Sequence, residues 1–321
     1  MTATGPYIAS DMLNPGHPFG LLFHHFCDDC HARGQGAVSA DEFVRLIDHA
    51  GRDRLIGAHD WVDRAKAGTL SERDICVSFD DGLLCQYDIA LPVLKEYGLT
   101  AFWFTYSSPL KGETDRLEMY RYFRTVTFAA ADDFYAAFFD FIDEDELADQ
   151  VATGLEGVDI AAHLPHAPFY SYEDRRFRYV RDRILGPDAY NAAMDQMMAR
   201  HAFNLSAAER LWMQEHHLVD LDRSGHIVGL HSHSHPTAMS LLAKDDQMQE
   251  YRRNKDILEA ALGHPVTTMS HPCNSYNADT LDVLQGLDIT MGFRADMPGP
   301  AASPFEYPRL NHARLMPEIG S

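Results

Sequence analysis

Short runs of branched and aromatic residues recur along the chain, and longer stretches with the apolar spacing of helices separate them. This alternation is typical of repeated βα units around a parallel sheet or barrel. Two Ser-to-Glu capping boxes, Ser39 to Glu42 and Ser206 to Glu209, predict helix starts. The runs predicted as strands are Phe19 to Phe26, Ile75 to Phe79, Thr100 to Tyr106, His226 to Leu230, Val266 to Ser270, Asp288 to Phe293 and Tyr307 to Leu310.

One interval between predicted strands is much longer than the others, about 120 residues from Tyr106 to His226. A simple crossover needs far fewer residues. The interval carries Phe134, Phe138 and Ile142 at helical spacing, and such stripes are usually the packing faces of amphipathic helices. We therefore predict a barrel in two parts, residues 1–106 and 226–321, interrupted by a helical insertion or lid over residues 107–225.

Composition and charge limit the classes of partner that the protein is expected to bind. The chain is 45% hydrophobic and 23% charged, as globular proteins are. Its formal net charge of -21 disfavours nucleic acid and anionic membrane surfaces as partners. The first residues have neither a basic segment nor an apolar run, and no stretch approaches the roughly 18 apolar residues of a membrane span. We expect a cytoplasmic protein whose cysteines are reduced.

Polar and ionisable residues follow six of the seven predicted strands. Because the C-terminal ends of parallel strands open onto one face of a barrel, we expect these residues to converge there as a candidate active site. They are His24, His25, Asp80, Asp81, His231, His235, His271, Arg294, Arg309 and His312.

Two of these strand ends carry the residue types of a metal site. Asp80 and Asp81 can share a site only past the strand's end, and Gly82 permits the turn that this requires. His231 and His235 have the spacing of one face of a helical turn, so both imidazoles can bind one ion, while the histidine between them points elsewhere. Each motif alone is also typical of a solvated surface turn. Together, two imidazoles and one carboxylate favour an open, catalytic type of zinc site.

Three motifs, in the order SFDDG, HSHSHP and SHPCNSYN, resemble those of the polysaccharide deacetylases of carbohydrate esterase family four, the NodB homology family. The resemblance implies an α/β fold, an irregular (β/α)7 barrel, here with a large helical insertion between strands 3 and 4. It implies that Asp80 is the catalytic base, and that Asp81, His231 and His235 are the ligands of a divalent ion.

The third motif of the family implies a role for the backbone at Cys273, which follows Pro272. In the family, the residue at this position donates its backbone N–H to the oxyanion. Cys273 is alternatively a nucleophile, as a cysteine near histidines can be. A metal site makes a covalent intermediate unnecessary, so we expect the thiol to pack rather than react.

The resemblance leaves two roles open. The arginine that often steadies the catalytic base in the family is Ser270 here, so base orientation is expected from Arg294 or Arg309. The last family motif ends in a histidine that acts as general acid. Leu310-Asn311-His312 is similar to it and implies His312, with His271 close enough to compete.

The resemblance implies a metal-dependent hydrolase that removes an N-acetyl or other N-acyl group from an amino sugar or glycan. Zn²⁺ is the default ion, and Co²⁺ or Ni²⁺ suits the same ligands. Hydrolysis of another C–N bond, as by deformylases or ureidohydrolases, and a carbohydrate-binding protein with a decayed site are the alternatives. Because the insertion can wall the strand-end face into a pocket, we expect a small intracellular N-acylated sugar or sugar nucleotide as substrate.

Overall fold

Seven strands supply the frame on which the candidate site is built. A computed structural model describes residues 12–113, 115–164, 170–204 and 210–320. Each predicted strand is confirmed, with its ends displaced by a few residues. The strands are β1 Phe19–Phe23, β2 Ile75–Phe79, β3 Phe102–Thr105, β4 Ile227–Leu230, β5 Thr268–Ser270, β6 Met291–Phe293 and β7 Arg309–Asn311.

The strands form one parallel sheet in the order β6-β5-β4-β3-β2-β1-β7. At one edge, Gly20 of β1 pairs with Arg309 of β7. An isolated bridge between Phe293 and Tyr307 connects the two edges of the sheet, so the barrel is nearly closed. The fold is the irregular (β/α)7 barrel that the motifs implied.

The chain divides into two compact units. The barrel unit lies within Met1–Asp115 and Arg210–Ser321, and the helical unit lies within Arg116–Glu209. The helical unit contains five of the helices, from Arg116–Thr127 to Gly186–Arg200. The helices of the described residues are α1 Ala40–Ala50, α2 Ala58–Ala67, α3 Leu91–Tyr97, α4 Arg116–Thr127, α5 Ala131–Asp143, α6 Ala148–Leu155, α7 Tyr172–Tyr179, α8 Gly186–Arg200, α9 Glu215–Arg223, α10 Lys244–Leu262, α11 Ala278–Gly286 and α12 Met316–Ile319.

The first predicted capping box begins α1. The Ser39 hydroxyl accepts a hydrogen bond from the Glu42 backbone N–H at 3.2 Å, and the Glu42 carboxylate accepts one from the Ser39 N–H at 2.6 Å. These bonds satisfy two of the N–H groups that a helix start leaves without partners. The second predicted capping box, Ser206 to Glu209, lies outside the described residues.

The strands are buried on both faces, which is why they appear in the sequence as nearly continuous apolar runs. Alternate residues of β3 enter different clusters, because successive side chains of a strand point to opposite faces. Trp103 stacks on Phe79 with ring centroids 4.2 Å apart. Phe102 and Phe104 pack on the other face with Phe293 of β6, at 5.0 and 5.5 Å. All these rings are fully buried.

The helical unit has an aromatic core of its own. The predicted stripe Phe134, Phe138 and Ile142 lies on α5 and is buried there. Phe138 meets Phe177 of α7 edge to face at 4.9 Å, and Tyr190 of α8 contacts the same ring at 5.9 Å. The stripes are therefore packing surfaces. Residues 107–115 and 210–225, which the sequence assigned to the insertion, lie in the barrel unit.

Among the described helices, none combines the length and the apolar character that crossing a lipid bilayer requires.

Gly292 of β6 lies where the barrel nearly closes, and we predict that Gly292→Ala weakens the fold. A Cβ at this position would lie 2.6 Å from the Phe305 carbonyl oxygen and 2.8 Å from the Met269 sulfur. Because the nearest obstacle is backbone, the strand edges must shift, and overpacking of this kind costs roughly 1–3 kcal/mol. Urea denaturation measures the loss.

The control is Gly286→Ala at the end of α11. Its Cβ would meet only the Met248 methyl carbon, at 3.8 Å. Alanine is also the better helix former by about 0.5–1 kcal/mol. A Gly292→Ala protein as stable as the Gly286→Ala protein would contradict the account of barrel closure.

Candidate active site

The two neighbouring carboxylates of the first motif lie just past the end of β2. Asp81 has a φ of 79° and Gly82 a φ of 62°, both left-handed. Gly82 takes this conformation without steric cost, as expected, but Asp81 adopts it as well, and only a local constraint holds a residue with a Cβ there. Asp80 is 3% exposed and Asp81 8% exposed. The turn therefore buries both carboxylates at one strand end.

Asp80 is held by the fully buried Arg309 of β7. The Arg309 Nη1 donates to Asp80 Oδ1 at 2.6 Å, and Nη2 donates to Oδ2 at 2.7 Å. Bidentate pairs of this kind are strong and fix the carboxylate plane. Burial raises the pKa of the Asp80 carboxyl, but Arg309 and His231 outweigh burial and hold this pKa below its ordinary value. Asp80 is therefore ionised and oriented.

The second arginine proposed from the sequence does not contact Asp80. Arg294 donates to Asp296 at 3.0 Å and to the Glu306 carbonyl oxygen at 3.1 Å. Its own carbonyl oxygen accepts a hydrogen bond from Arg309 Nε at 3.0 Å. Of the two alternatives, the structure thus places Arg309 on the carboxylate, and Arg294 organises the loop that follows β6.

Asp81, His231 and His235 converge on one point. Asp81 Oδ1 lies 3.4 Å from the Nε2 atom of each histidine, and the three atoms lie within 4.8 Å of one another. Among the described residues this is the one such group of three potential ligands.

The chemistry of this donor set fits a divalent ion. Asp81 Oδ1 is buried and has no hydrogen-bond partner among the described residues. A buried carboxylate oxygen without a partner is costly, and a cation between it and the two ring nitrogens would remove that cost. Burial raises the pKa of Asp81, but the two histidines outweigh it and hold the pKa well below its ordinary value, so the carboxylate is ionised.

The histidine pair converges through a backbone that differs from the predicted helical turn. Ser232 has a φ of 64° and His235 a φ of 56°, and the His235 N–H donates to the Ser232 hydroxyl at 3.1 Å. The helical expectation was wrong because two left-handed residues, rather than one helical turn, bring the His235 ring back beside His231. As expected, His233 points elsewhere, with Nδ1 2.9 Å from the Ser107 hydroxyl.

Ser270 connects Asp80 to His231, one of the three candidate ligands. Its hydroxyl donates to Asp80 Oδ1 at 3.0 Å and lies 2.7 Å from His231 Nδ1. His231 Nδ1 also lies 3.0 Å from the Ser270 carbonyl oxygen. A carbonyl oxygen can only accept, so Nδ1 carries the ring proton. Nε2 of the neutral ring then keeps the lone pair that a metal ligand needs, on the side of the ring that faces Asp81.

Two residues that no sequence pattern marked lie against His235, another of the candidate ligands. Tyr106 stacks on its ring with centroids 5.1 Å apart, and Asp115 Oδ2 lies 3.8 Å from its Nδ1. A carboxylate behind a ligand histidine orients the ring and raises its basicity. Asp115 was overlooked because it falls in the segment assigned to the helical insertion, where no strand end marks it.

The structure does not favour either histidine proposed as general acid. Both ring nitrogens of His312 face backbone carbonyl oxygens, Leu22 at 3.1 Å and Gly36 at 3.0 Å, and burial lowers its pKa. His271 is fully buried, and burial lowers its pKa to about 3, so it is neutral at neutral pH. Its Nε2 is bonded to the Phe305 carbonyl oxygen at 2.9 Å. His312 and His271 therefore hold backbone.

His24, at the end of β1, lies beside the carboxylates. Phe23 pairs with Phe79, so the next residues along the two strands are His24 and Asp80. Gln86 Nε2 donates to the carbonyl oxygens of both, at 2.7 and 2.6 Å. A positive charge on His24 also lowers the pKa of Asp80 and of Asp81. The His24 side chain is half-buried. Its place after a strand was the only signal in the sequence, and it shared that signal with His25.

Cys273 differs from expectation in one respect. It has a φ of 50° and its neighbour Asn274 a φ of 55°, so two successive left-handed residues turn the chain after Pro272. The side chain of Cys273 is exposed. The thiol was expected to pack rather than react, and this turn instead presents the residue at the surface. The role of its backbone N–H stays a prediction.

The comparisons with known proteins agree with the fold and the motifs. A family model described as polysaccharide deacetylase matches residues 191–292, a segment that includes the second and third motifs. This match confirms the resemblance to the polysaccharide deacetylases. No curated protein matches the chain in sequence.

Solved structures match over nearly the whole chain. The deacetylase PplD of Streptococcus pyogenes, in complex with acetate, has a TM-score of 0.52 at 13% identity, over 96% of this chain and 100% of that one. IcaB from Ammonifex degensii has a TM-score of 0.53 at 15% identity, over 92% and 91%. A de-N-acetylase from Aggregatibacter actinomycetemcomitans gives 0.52 at 13%, over 92% and 94%. At such identities the likeness shows the fold alone.

We predict that Arg309→Met strongly destabilises the protein, because it leaves the Asp80 carboxylate buried without its partner. Breaking one side of a buried pair typically costs about 3–5 kcal/mol. The double variant Arg309→Met/Asp80→Asn should recover much of the loss, since neither position then carries a buried charge without its partner. Urea denaturation of the wild type, of Arg309→Met, of Asp80→Asn and of the double variant completes a double-mutant cycle. A double variant no more stable than Arg309→Met would contradict the prediction.

Proposed function

We propose that this protein is a metal-dependent hydrolase that removes an N-acetyl group from an amino sugar of a glycan or smaller sugar. The observation that carries the proposal is an ionised Asp80, fixed by Arg309, directly beside the group Asp81, His231 and His235. A protein that only binds carbohydrate needs neither a buried, oriented base nor a buried ligand set. The match to the polysaccharide deacetylase model and fold supports the same reaction class.

Asp81, His231 and His235 would hold the ion. A divalent ion bound there supplies a Lewis acid that polarises the acetyl carbonyl and lowers the pKa of a bound water. Zn²⁺ suits two imidazoles and a carboxylate, and Co²⁺ or Ni²⁺ can occupy the same ligands.

Asp80 is the general base of the proposed mechanism. Its Oδ2 lies 3.9 Å from His231 Nε2, the atom that also faces Asp81, so base and ligands border the same space. Arg309 keeps the carboxylate ionised, and Ser270 adds a third hydrogen bond that fixes its direction. The carboxylate accepts the proton of the attacking water, which saves the reaction from generating a free hydroxide.

The departing amine needs a proton, because an amide anion is a very poor leaving group. His24 is the histidine we assign to this step. It adjoins both carboxylates at the strand-end face and is half-buried, whereas His271 and His312 are buried and bonded to backbone. His24 as imidazolium then protonates the sugar nitrogen as the C–N bond breaks, giving the amino sugar and acetate.

The proposal predicts different defects for the two adjacent aspartates. Asp81→Asn should lose the bound ion and the activity, because it removes a ligand. Asp80→Asn leaves Arg309 buried without its carboxylate partner and should be less stable, but its folded fraction should keep the ion yet lose most turnover, because the base is removed and the ligands are kept. Metal analysis of the purified proteins and acetate release from a panel of N-acetylated sugars and glycans measure both. Full metal occupancy in Asp81→Asn, or no acetate from any substrate with metal-loaded wild type, would sink the proposal.

We also predict that His24→Ala lowers kcat by roughly 10²- to 10⁴-fold, the usual contribution of a general acid. The adjacent His25→Ala is the matched control and should stay within a few fold of wild type. His312→Ala should lose stability because it removes a buried ring that stacks on Phe23 and donates a hydrogen bond to the backbone, while the folded fraction keeps its turnover. A near-normal kcat in His24→Ala, together with a large loss of kcat in His312→Ala, would show that His312 and not His24 is the general acid.

A further inference from the structure

The loop that carries two of the three candidate ligands is strained at two points. This ligand loop runs from His231 to His235, and Ser232 and His235 both have left-handed φ values, 64° and 56°. Residues with a Cβ disfavour that region, and such backbone persists only where surrounding contacts hold it. The contacts on the ligand loop therefore determine how the two imidazoles are directed.

One carboxylate on α10 makes several of these contacts. Glu250 Oε2 accepts hydrogen bonds from the backbone N–H of His233 at 3.0 Å and of Ser234 at 2.8 Å. Its Oε1 accepts a third from the Ser234 hydroxyl at 2.8 Å. These bonds reach the middle of the ligand loop, between the two strained residues. Glu250 thus acts on the backbone and leaves the ligand rings untouched.

Asn254, one turn further along α10, fixes the start of the ligand loop. Its Oδ1 accepts a hydrogen bond from the His231 N–H at 2.9 Å, and its Nδ2 donates to the Thr105 carbonyl oxygen at 3.0 Å. Asn254 is fully buried. The two α10 side chains therefore hold the loop at two successive points.

The His233 ring also anchors the ligand loop. Its Nδ1 lies 2.9 Å from the Ser107 hydroxyl and its Nε2 lies 3.2 Å from Glu113. The Ser108 N–H donates to the His233 carbonyl oxygen at 2.9 Å. Serine, histidine and glutamate in this order have the partners of a nucleophilic triad, but Ser107 is fully buried. The array holds the loop and offers no nucleophile to a substrate.

We propose that Glu250 is a positioning residue that holds the ligand loop in the strained conformation in which His231 and His235 converge on Asp81. The inference rests on the proposed metal site. Without the carboxylate, two backbone N–H groups and a hydroxyl lose their acceptor, and the loop can relax toward unstrained φ values. The two imidazoles then no longer meet at one point, and affinity for the ion falls.

Titration of the metal-free protein with Co²⁺, followed by the visible absorption of the bound ion, tests this directly. Glu250→Ala should stay folded by circular dichroism, bind Co²⁺ about 10- to 100-fold more weakly, and show an altered spectrum. Glu250→Gln should be close to wild type, since its amide oxygen can accept both N–H groups and its NH₂ can donate to the Ser234 hydroxyl. Asp256→Asn, at an exposed carboxylate of the same helix, is the matched control and should change nothing.

Glu250→Asp keeps the charge but is one methylene shorter, so it should resemble Glu250→Ala and not Glu250→Gln. If Glu250→Ala does not fold, the comparison of Glu250→Asp with Glu250→Gln tests the positioning role by itself. Wild-type affinity and spectrum in Glu250→Ala or Glu250→Asp would overturn the positioning role while leaving the metal site intact. A wild-type protein that binds no Co²⁺ would overturn the proposed function, and the positioning role with it.

Discussion

The buried ion pair between Arg309 and Asp80 is the interaction on which the rest of the site depends. Arg309 comes from β7 and Asp80 follows β2, so the guanidinium reaches across β1, which lies between them. Gly20 of β1 makes room for it, since a Cβ there would lie 3.1 Å from the Arg309 Cγ. A fully buried guanidinium is unfavourable without a carboxylate partner, and the barrel supplies one. The stability of the fold and the orientation of the Asp80 carboxylate therefore depend on the same ion pair.

This pair also separates the tasks of two adjacent carboxylates. Arg309 occupies both oxygens of Asp80, which leaves Asp81 as the carboxylate directed at the histidines. The turn at Asp81 and Gly82 makes that separation possible, because neighbours on a regular strand would point to opposite faces. One short strand end thus places the proposed base and a candidate metal ligand side by side, and the Ser270 hydroxyl connects Asp80 to His231.

Much of this arrangement was predictable from the sequence, because it depends on local patterns. Apolar runs placed all seven strands, and strand-end position marked Asp80, Asp81, His231 and His235. What was missed depends on contacts between distant residues. Arg309 lies 229 residues from Asp80, and nothing in the sequence separated it from Arg294. The left-handed residues of the ligand loop could not be predicted, because the four-residue spacing of His231 and His235 is also that of a helical turn.

The choice of general acid shows the same limit. His312 matched a family motif, yet its environment, two backbone carbonyl oxygens, is visible only once the chain is folded. His24 carried no motif, and the role proposed for it rests on the register that sets β1 beside β2. The sequence thus shows where the histidines are, whereas the packing of the folded chain determines whether their ring nitrogens can reach a substrate.

The most direct test of the central claim is a crystal structure of the protein grown with Zn²⁺ and measured at the zinc absorption edge. The account predicts one anomalous peak bound by Asp81, His231 and His235 at about 2.0–2.2 Å, with Asp80 still bidentate on Arg309. A zinc ion ligated by Asp80, or anomalous density only away from this group, would contradict the division of tasks between the two carboxylates.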